Sequence, residues 1–349
     1  MPTIKDVADH AGVSITTVSH VLNQTRHVNG NLVDRVQAAI TVLGYQPNAV
    51  ARSLRKKETR TLGMVIPDNS NPYFADMARS IEDASFELGY NVILCNSDED
   101  PAKERAYLQL LLEKQVDGIA FVASGRHRKH LRPVLEHKVP LVVLDRDLGY
   151  RGWDSVLVEN RVGGHHATLH LIEGGHRRIG CISGPLDLIP SRERAQGYQD
   201  ALLVTRLPVD PILIRKGSFH AEGGYAAMLE LLDLHPPPTA VFVCNDMMAV
   251  GALRAIADRG LRAPTDVAVV GFDDIELASY TRPSLTTVTQ PVREMGELAT
   301  RLLVGRVNGD SRSPQQYRLQ TRLVIRESCG RNQASHRGDD LKTKGAKQG

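Results

Sequence analysis

Cysteine is scarce in this sequence, and what there is lies scattered. Cys95, Cys181, Cys244 and Cys329 are the only four among 349 residues. Their spacings match neither a disulfide framework nor a zinc site, and their apolar surroundings predict buried, reduced thiols. Long apolar runs are missing as well. No early segment has the length of a signal peptide or a membrane span, which predicts a cytosolic protein. Phosphate-cradling loops are also absent: neither G-x-x-x-x-G-K-[ST] nor G-x-G-x-x-G follows any strand-like run, which argues against a nucleotide site. With no G-x-S-x-G elbow and no cysteine placed as a nucleophile, the common acyl-transfer chemistries drop out too.

The remaining composition is that of an ordinary globular protein, 42% hydrophobic and 24% charged. The length suits two or three domains. The net charge of +3 is unevenly spread. Up to Arg60 there are eight basic residues (Lys5, Arg26, Arg35, Arg52, Arg55, Lys56, Lys57 and Arg60) against the four acids Asp6, Asp9, Asp34 and Glu58, so the rest carries −1. A basic head on a nearly neutral body suits phosphate-backbone binding by the head alone.

The stretch TIKDVADHAGVSITTVSHVLN, Thr3 to Asn23, carries the clearest signal. Ile4, Val7 and Ala8 fall at helical spacing, as do Val18, Val21 and Leu22. Gly12 can take the positive φ that ends the first helix, and Ser14 can cap the second. That pattern is a helix-turn-helix whose second helix offers Thr16, Thr17 and His20 to base edges in a major groove. The bland alternative is a two-helix hairpin packed on a core. A third helix is expected over Asn31–Gly44. After it, Pro47 starts a short segment in which Leu54 lies between Arg52 and Arg55. Two readings stand: a plain charged linker, or a hinge helix that folds on DNA and wedges its leucine into a minor-groove step.

From Thr61 apolar strand-like runs alternate with amphipathic segments. The strands are expected at 62–66, 91–95, 118–122, 141–144, 156–158, 179–183, 240–244 and 267–271. The helices are expected at 73–88, 103–114, 162–173, 192–204, 223–234 and 247–258. This predicts parallel, doubly wound α/β sheets in two similar lobes with a cleft between them. Ligands of such sheets sit beyond the carboxyl ends of the strands. The residues found there are Asp68, Asn69, Asn71, Tyr73 and Phe74; Asp145 and Arg146; the loop leading to Arg192 and Arg194; Phe219; Asn245 with Asp246; Phe272 with Asp273; and Gln290. Carboxylates and amides pair with neighbouring hydroxyls, an arginine fork donates to oxygens, and aromatic faces cover a sugar's C–H face. Any single such Asp or Asn reads equally well as a helix N-cap. Together they point to a small polar ligand. His165, His166, His170 and His176 also cluster, and His166 and His170 are spaced to share a metal. With no glutamate between them and no third ligand, they read as a solvated helix face. No metal or cofactor is expected.

The motifs KDVADHAGVS, TTVSHVLN, AVARSL, RTLGM, GPLDLIPSRERAQGY, CNDMMAVGAL and GFDDIELASYTRPSLTTVTQP resemble the LacI family of bacterial repressors over residues 3 to about 329. The last motif is nearer the family's ribose branch than its purine branch. The resemblance implies an α/β protein: an all-α helix-turn-helix head (1–46), a hinge helix and linker (47–60), and a two-lobed body of the periplasmic-binding-protein type (61–330). One lobe would hold about 61–159 with 290–320, and the other about 160–289 with 321–330. The polar tail 331–349 is expected to be disordered and carries no leucine heptad, so a homodimer is favoured over a tetramer. The family pattern places Thr16, Thr17, His20, Arg26, Ala51, Leu54 and Arg55 against pseudo-palindromic operator DNA.

Similarity of the body to periplasmic ribose-binding proteins implies an effector of D-ribose type or a related pentose. Its contacts would be Asn71, Tyr73, Phe74, Asp145, Arg146, Arg194, Phe219, Asn245, Phe272, Asp273 and Gln290. Tyr73 replaces a phenylalanine of that pattern. Ala123 replaces an asparagine, so one hydroxyl contact is lost or taken over by Ser124. Ile15 stands where relatives carry a polar residue, to touch a thymine methyl or to pack. Neither a membrane partner nor an enzymatic activity is implied. The family runs its ligand switch in either direction, since purine-type members use their ligand to strengthen DNA binding.

Overall fold

The computed structural model describes residues 2–23, 26–45, 58–125, 128–149 and 152–330. The chain forms two compact units, Met1–Thr59 and Arg60–Gly349. Ala51, Leu54, Arg55 and the tail 331–349 lie outside the described residues.

The first unit is a three-helix head of α1 (Ile4–Ala11), α2 (Ile15–Asn23) and α3 (Gly30–Leu43). A reciprocal cap starts α1: the Asp6 amide donates to Thr3 Oγ1, and the Thr3 amide donates to Asp6 Oδ2 at 2.7 Å. Gly12 ends the helix in the left-handed region, at φ 59°. Arg35 on α3 fixes the turn by donating from Nη2 to the Ala11 carbonyl at 2.6 Å. Val7, Ala8, Ala11, Val18, Val36 and Ala39 form the buried centre. The expected apolar spacings meet there, which leaves the polar side of α2 outward.

The second unit holds two six-stranded sheets. The first contains β1 (Thr61–Ile66), β2 (Asn91–Asn96), β3 (Gly118–Phe121), β4 (Leu141–Leu144), β5 (Asp154–Val158) and β11 (Gln316–Leu319), in the order β11-β5-β4-β3-β1-β2. The second contains β6 (Ile179–Ser183), β7 (Ile214–Lys216), β8 (Ala240–Val243), β9 (Ala268–Asp273), β10 (Thr286–Thr289) and β12 (Arg322–Val324), in the order β12-β10-β9-β8-β6-β7. The two orders correspond strand for strand. Central strands such as β1, β3, β4, β8 and β9 are buried almost throughout, as near-continuous apolar runs require in a sheet covered on both faces.

The helices are α4 (Pro72–Glu87), α5 (Pro101–Glu113), α6 (Arg132–Glu136), α7 (Asn160–Glu173), α8 (Ile189–Val204), α9 (Ala221–Leu232), α10 (Asp246–Asp258) and α11 (Val292–Val307). Pairs of them approach closely. A Cβ on Gly251 of α10 would lie 1.8 Å from the Ala221 carbonyl oxygen, and one on Gly224 of α9 would lie 2.0 Å from that of Met248. No helix among the described residues is long and apolar enough to cross a membrane. All four cysteines are buried and free.

Several expectations need correction. β12 pairs antiparallel with β10, so the second sheet is not wholly parallel. β7, β11 and β12 escape a hydrophobicity reading because they are short, partly exposed edges. α11 was legible in the spacing of buried Met295, Ala299 and Leu303, yet was not anticipated. His170 is 5% exposed with Nε2 3.2 Å from Cys329 Sγ, so that histidine does not belong to a solvated face; His166 does. We expect Gly251→Ala to lower unfolding free energy by about 1–3 kcal/mol, the usual consequence of overpacking. Urea denaturation that left the midpoint unchanged would refute the close α9–α10 approach.

Candidate DNA-binding surface and ligand cleft

On the head, Thr16 is exposed, and Ile15 is 47% exposed, so Ile15 does not serve as packing. Thr17 departs from expectation. It is half-buried with its hydroxyl 2.9 Å from Ser14 Oγ, and its amide donates to that same cap oxygen at 3.1 Å. Its hydroxyl therefore also braces the start of α2. His20 is half-buried one turn further on, and Arg26 is exposed in the connection to α3.

In the body, the strand ends converge as anticipated. Asn71, Tyr73, Phe74, Asp145, Arg146, Arg194, Phe219, Asn245 and Asp273 line one cleft, together with Asp68, Glu99, Pro190 and His220. Four of these residues hold left-handed backbone: Glu99 at φ 54°, Asp145 at 59°, Phe219 at 66° and Asp273 at 118°. Such conformations are costly for residues with a Cβ and tend to cluster at binding sites. The space left between the side chains is about 30 Å³. That is room for about one water, so a sugar enters only if the lobes part or side chains swing away.

The cleft is organised by buried charge. Arg146 donates from Nη1 to the Ala123 carbonyl at 2.8 Å and from Nη2 to Glu99 Oε1 at 3.1 Å. Its guanidinium carbon lies 5.5 Å from the centre of the Phe74 ring. Arg194 lies in α8, within the helix expected at 192–204. It donates from Nε to Asn160 Oδ1 at 2.8 Å, and from Nη1 to the Cys244 carbonyl at 2.8 Å and to Asp273 Oδ1 at 3.1 Å. Phe272 is fully buried beneath that guanidinium, 3.8 Å from ring centre to carbon, and does not line the cleft. A strand's alternation explains this: Phe272 and Asp273 point to opposite faces, so only one of them reaches the ligand side.

Other assignments are refined as well. Asn245 is largely engaged by structure: Oδ1 accepts from the Met248 amide at 2.9 Å, and Nδ2 donates to the Phe219 carbonyl at 2.9 Å. Asn71 caps α4 through its Oδ1. Ser124 does not replace the missing amide at position 123. Its hydroxyl pairs with Ser97 at 2.6 Å and its amide donates to buried Glu104. Glu99 and His220 went unnoticed because they follow β2 and Phe219, positions where no strand end was inspected. The acidic run that holds Glu99 was the available signal.

Gln290 sits behind the cleft wall and ties it together. Its Nε2 donates to Asp273 Oδ1 at 2.7 Å. The Tyr73 phenol lies 2.8 Å from Asp145 Oδ1 and 3.0 Å from Gln290 Oε1. Burial and then Asp145 push the phenol well above its ordinary range, so it stays protonated. One phenolic proton cannot serve two acceptors. Burial raises Asp273 to about 7 despite Arg194. When Asp273 carries a proton, it can donate to a turned Gln290 carbonyl, the amide can donate to the phenol, and the phenol to Asp145. Every member is then satisfied.

The folded protein thus holds the Asp273 proton up to about 7, whereas the unfolded chain releases it near 3.8. Between those values the native state binds more protons, so this group's contribution to stability is lost as pH rises. Asp273→Asn should flatten that decline in unfolding midpoints measured from pH 4.5 to 7.5. An unaltered slope would show that Asp273 titrates normally.

Comparison with known proteins agrees with this architecture. Residues 3–48 match the bacterial regulatory proteins of the lacI family, and residues 168–329 match the periplasmic binding protein-like domain. The ribose operon repressor of Escherichia coli strain K12 is 41% identical over 94% of this chain and 99% of its own length. The HTH-type transcriptional repressor PurR of Photorhabdus laumondii is 41% identical over 94% of this chain and 97% of its own. The lac repressor dimer bound to operator and the anti-inducer ONPF matches with a TM-score of 0.85 at 30% identity, over 94% of this chain and 99% of that one. The chain belongs to the LacI family, as a DNA-binding transcriptional repressor that responds to a small ligand.

Proposed function

We propose that the protein represses a sugar-utilisation operon as a cytoplasmic homodimer and is released from its operator by a neutral pentose of D-ribose type, without any catalytic step. The observation that carries this reading is the balance of groups around the cleft. Asp68, Glu99, Asp145 and Asp273 outnumber Arg146 and Arg194. Apart from Asp273, which holds a proton up to about 7, three carboxylates face the cleft; they disfavour a phosphate but accept from several hydroxyls at once, which suits an unphosphorylated polyol. The family relative that shares 41% identity and is named a ribose operon repressor supports the choice of sugar.

The chain crosses between the two sheets three times, at residues 159, 290–291 and 320–321. Asn160 and Gln290, beside two of these crossings, bond directly to Arg194 and to Asp273 and Tyr73. A ligand that shifts those partners acts on the angle between the lobes. Two heads would occupy the half-sites of a pseudo-palindromic operator, with Thr16, Thr17, His20 and Arg26 on the major-groove side. Ala51, Leu54 and Arg55 would meet the minor groove at the centre. Ligand closure disfavours that arrangement, with a coupling of about 1–3 kcal/mol.

A second reading has support in Phe74 and Phe219, two aromatic rings at the cleft, and in 41% identity to PurR. On that reading the ligand is a purine and tightens DNA binding. Calorimetric titration with D-ribose, ribose 5-phosphate and hypoxanthine, followed by addition of each binder to an operator complex, separates the two. Ribose binding with DNA release supports induction by sugar; hypoxanthine binding with tightened DNA overturns it. Arg146→Ala should weaken effector binding by roughly 10- to 100-fold, the loss expected of charged hydrogen bonds, while operator affinity without effector stays intact. A normal effector response in that variant would move the ligand elsewhere. Leu54→Ala should reduce operator affinity and spare effector binding; equal operator affinity would remove the wedge role.

A further inference from the structure

Tyr73 brings an alcohol-like oxygen into the ligand site. The first turn of α4 delivers it, with Asn71 capping that turn and Pro72 opening the helix. The ring is 4% exposed and packs edge-on to Phe74, with centroids 5.1 Å apart. The phenol oxygen lies 2.8 Å from Asp145 Oδ1, 3.0 Å from Gln290 Oε1 and 3.9 Å from the Met295 sulfur. Asp145 directly follows β4 and Gln290 stands at a lobe crossing, and this oxygen bonds to both. A carboxylate and a primary amide facing one point form a seat for a hydroxyl: the carboxylate takes its proton and the amide, once turned to bring Nε2 round in place of Oε1, donates to its lone pair.

A second hydroxyl cannot share that seat. The phenol oxygen already stands within hydrogen-bond distance of both Asp145 and Gln290, so a ligand hydroxyl reaches that seat only where the phenol oxygen is displaced or removed.

We propose that Tyr73 is a specificity-determining residue: its hydroxyl stands in for one ligand hydroxyl between Asp145 and Gln290, so the cleft selects a pentose that lacks one hydroxyl. The inference rests on the sugar reading above and narrows it to monodeoxy pentoses. Tyr73→Phe removes that single oxygen and keeps the ring. It leaves Asp145 and Gln290 facing a gap of one oxygen, which the missing hydroxyl of a complete pentose refills.

The test is calorimetric titration of the full-length protein and of Tyr73→Phe with D-ribose and its 1-, 2-, 3- and 5-deoxy derivatives. We expect wild type to bind one monodeoxy derivative at least ~10-fold more tightly than ribose, and Tyr73→Phe to reverse that order, since a site built to bond a hydroxyl discriminates against the analogue without it. The wild-type ranking stands as a test even if the variant fails to fold. Ribose bound by wild type at least as tightly as every deoxy derivative, or an unchanged ranking in a folded Tyr73→Phe, overturns the inference and leaves the sugar reading standing. Absence of binding by every pentose to wild type overturns both.

Discussion

One run of buried polar contacts holds the body in its functional form: Asn160 to Arg194, Arg194 to Asp273, Asp273 to Gln290, Gln290 to Tyr73, and Tyr73 to Asp145. It begins and ends on different sheets and passes beside two of the three places where the chain crosses between them. Each member is at most 5% exposed. Unpaired, any one of them would be costly to bury, so the members hold one another in place. A packed apolar interface between the lobes would bind them more tightly but would have nothing for a ligand to exchange with. A chain of hydrogen bonds can be taken over partner by partner.

That dependence explains which features were legible in the sequence. The head was readable because its signals are local: Gly12, Ser14 and the apolar spacing of Val7, Ala8, Val18, Val21 and Leu22 all act within a few residues. The alternation of apolar strands and helices sufficed for the fold class, because a strand buried on both faces needs an unbroken apolar run. The lining of the cleft followed from the rule about strand ends. What failed had causes that residue spacing does not show. Phe272 sits beneath Arg194 because β9 turns it to the face that α7 covers. The engagement of Thr17 by Ser14, and of Asn245 by the Phe219 carbonyl, depends on rotamers that no spacing reveals. The ion pair between Asp154 and Arg306, Nε 2.7 Å from Oδ2, ties β5 to α11 across 152 residues.

The two halves of the body differ in how they meet the cleft. The first supplies Asp68, Glu99, Asp145 and Arg146 around Phe74, with Arg146 anchored to a backbone carbonyl of its own sheet. The second supplies Arg194, Asp273 and Phe219, with Arg194 anchored to Cys244 and propped on Phe272. Each thus presents one immobilised guanidinium stacked on one phenyl ring. The matching strand orders place these pairs at equivalent ends of the two sheets. The ligand site is consequently a junction of two similar surfaces, and asymmetry enters through Tyr73 and Gln290.

The left-handed backbone at Asp145, Phe219 and Asp273 has a consequence for how this protein would drift under selection. Glycine would relieve the strain at Phe219, but at Asp145 and Asp273 it would leave Tyr73, Arg194 and Gln290 without buried partners, so selection for thermal robustness alone would not clear these positions together. The backbone strain is thus kept in place by the same buried contacts that shape the cleft, and neither can be lost without the other.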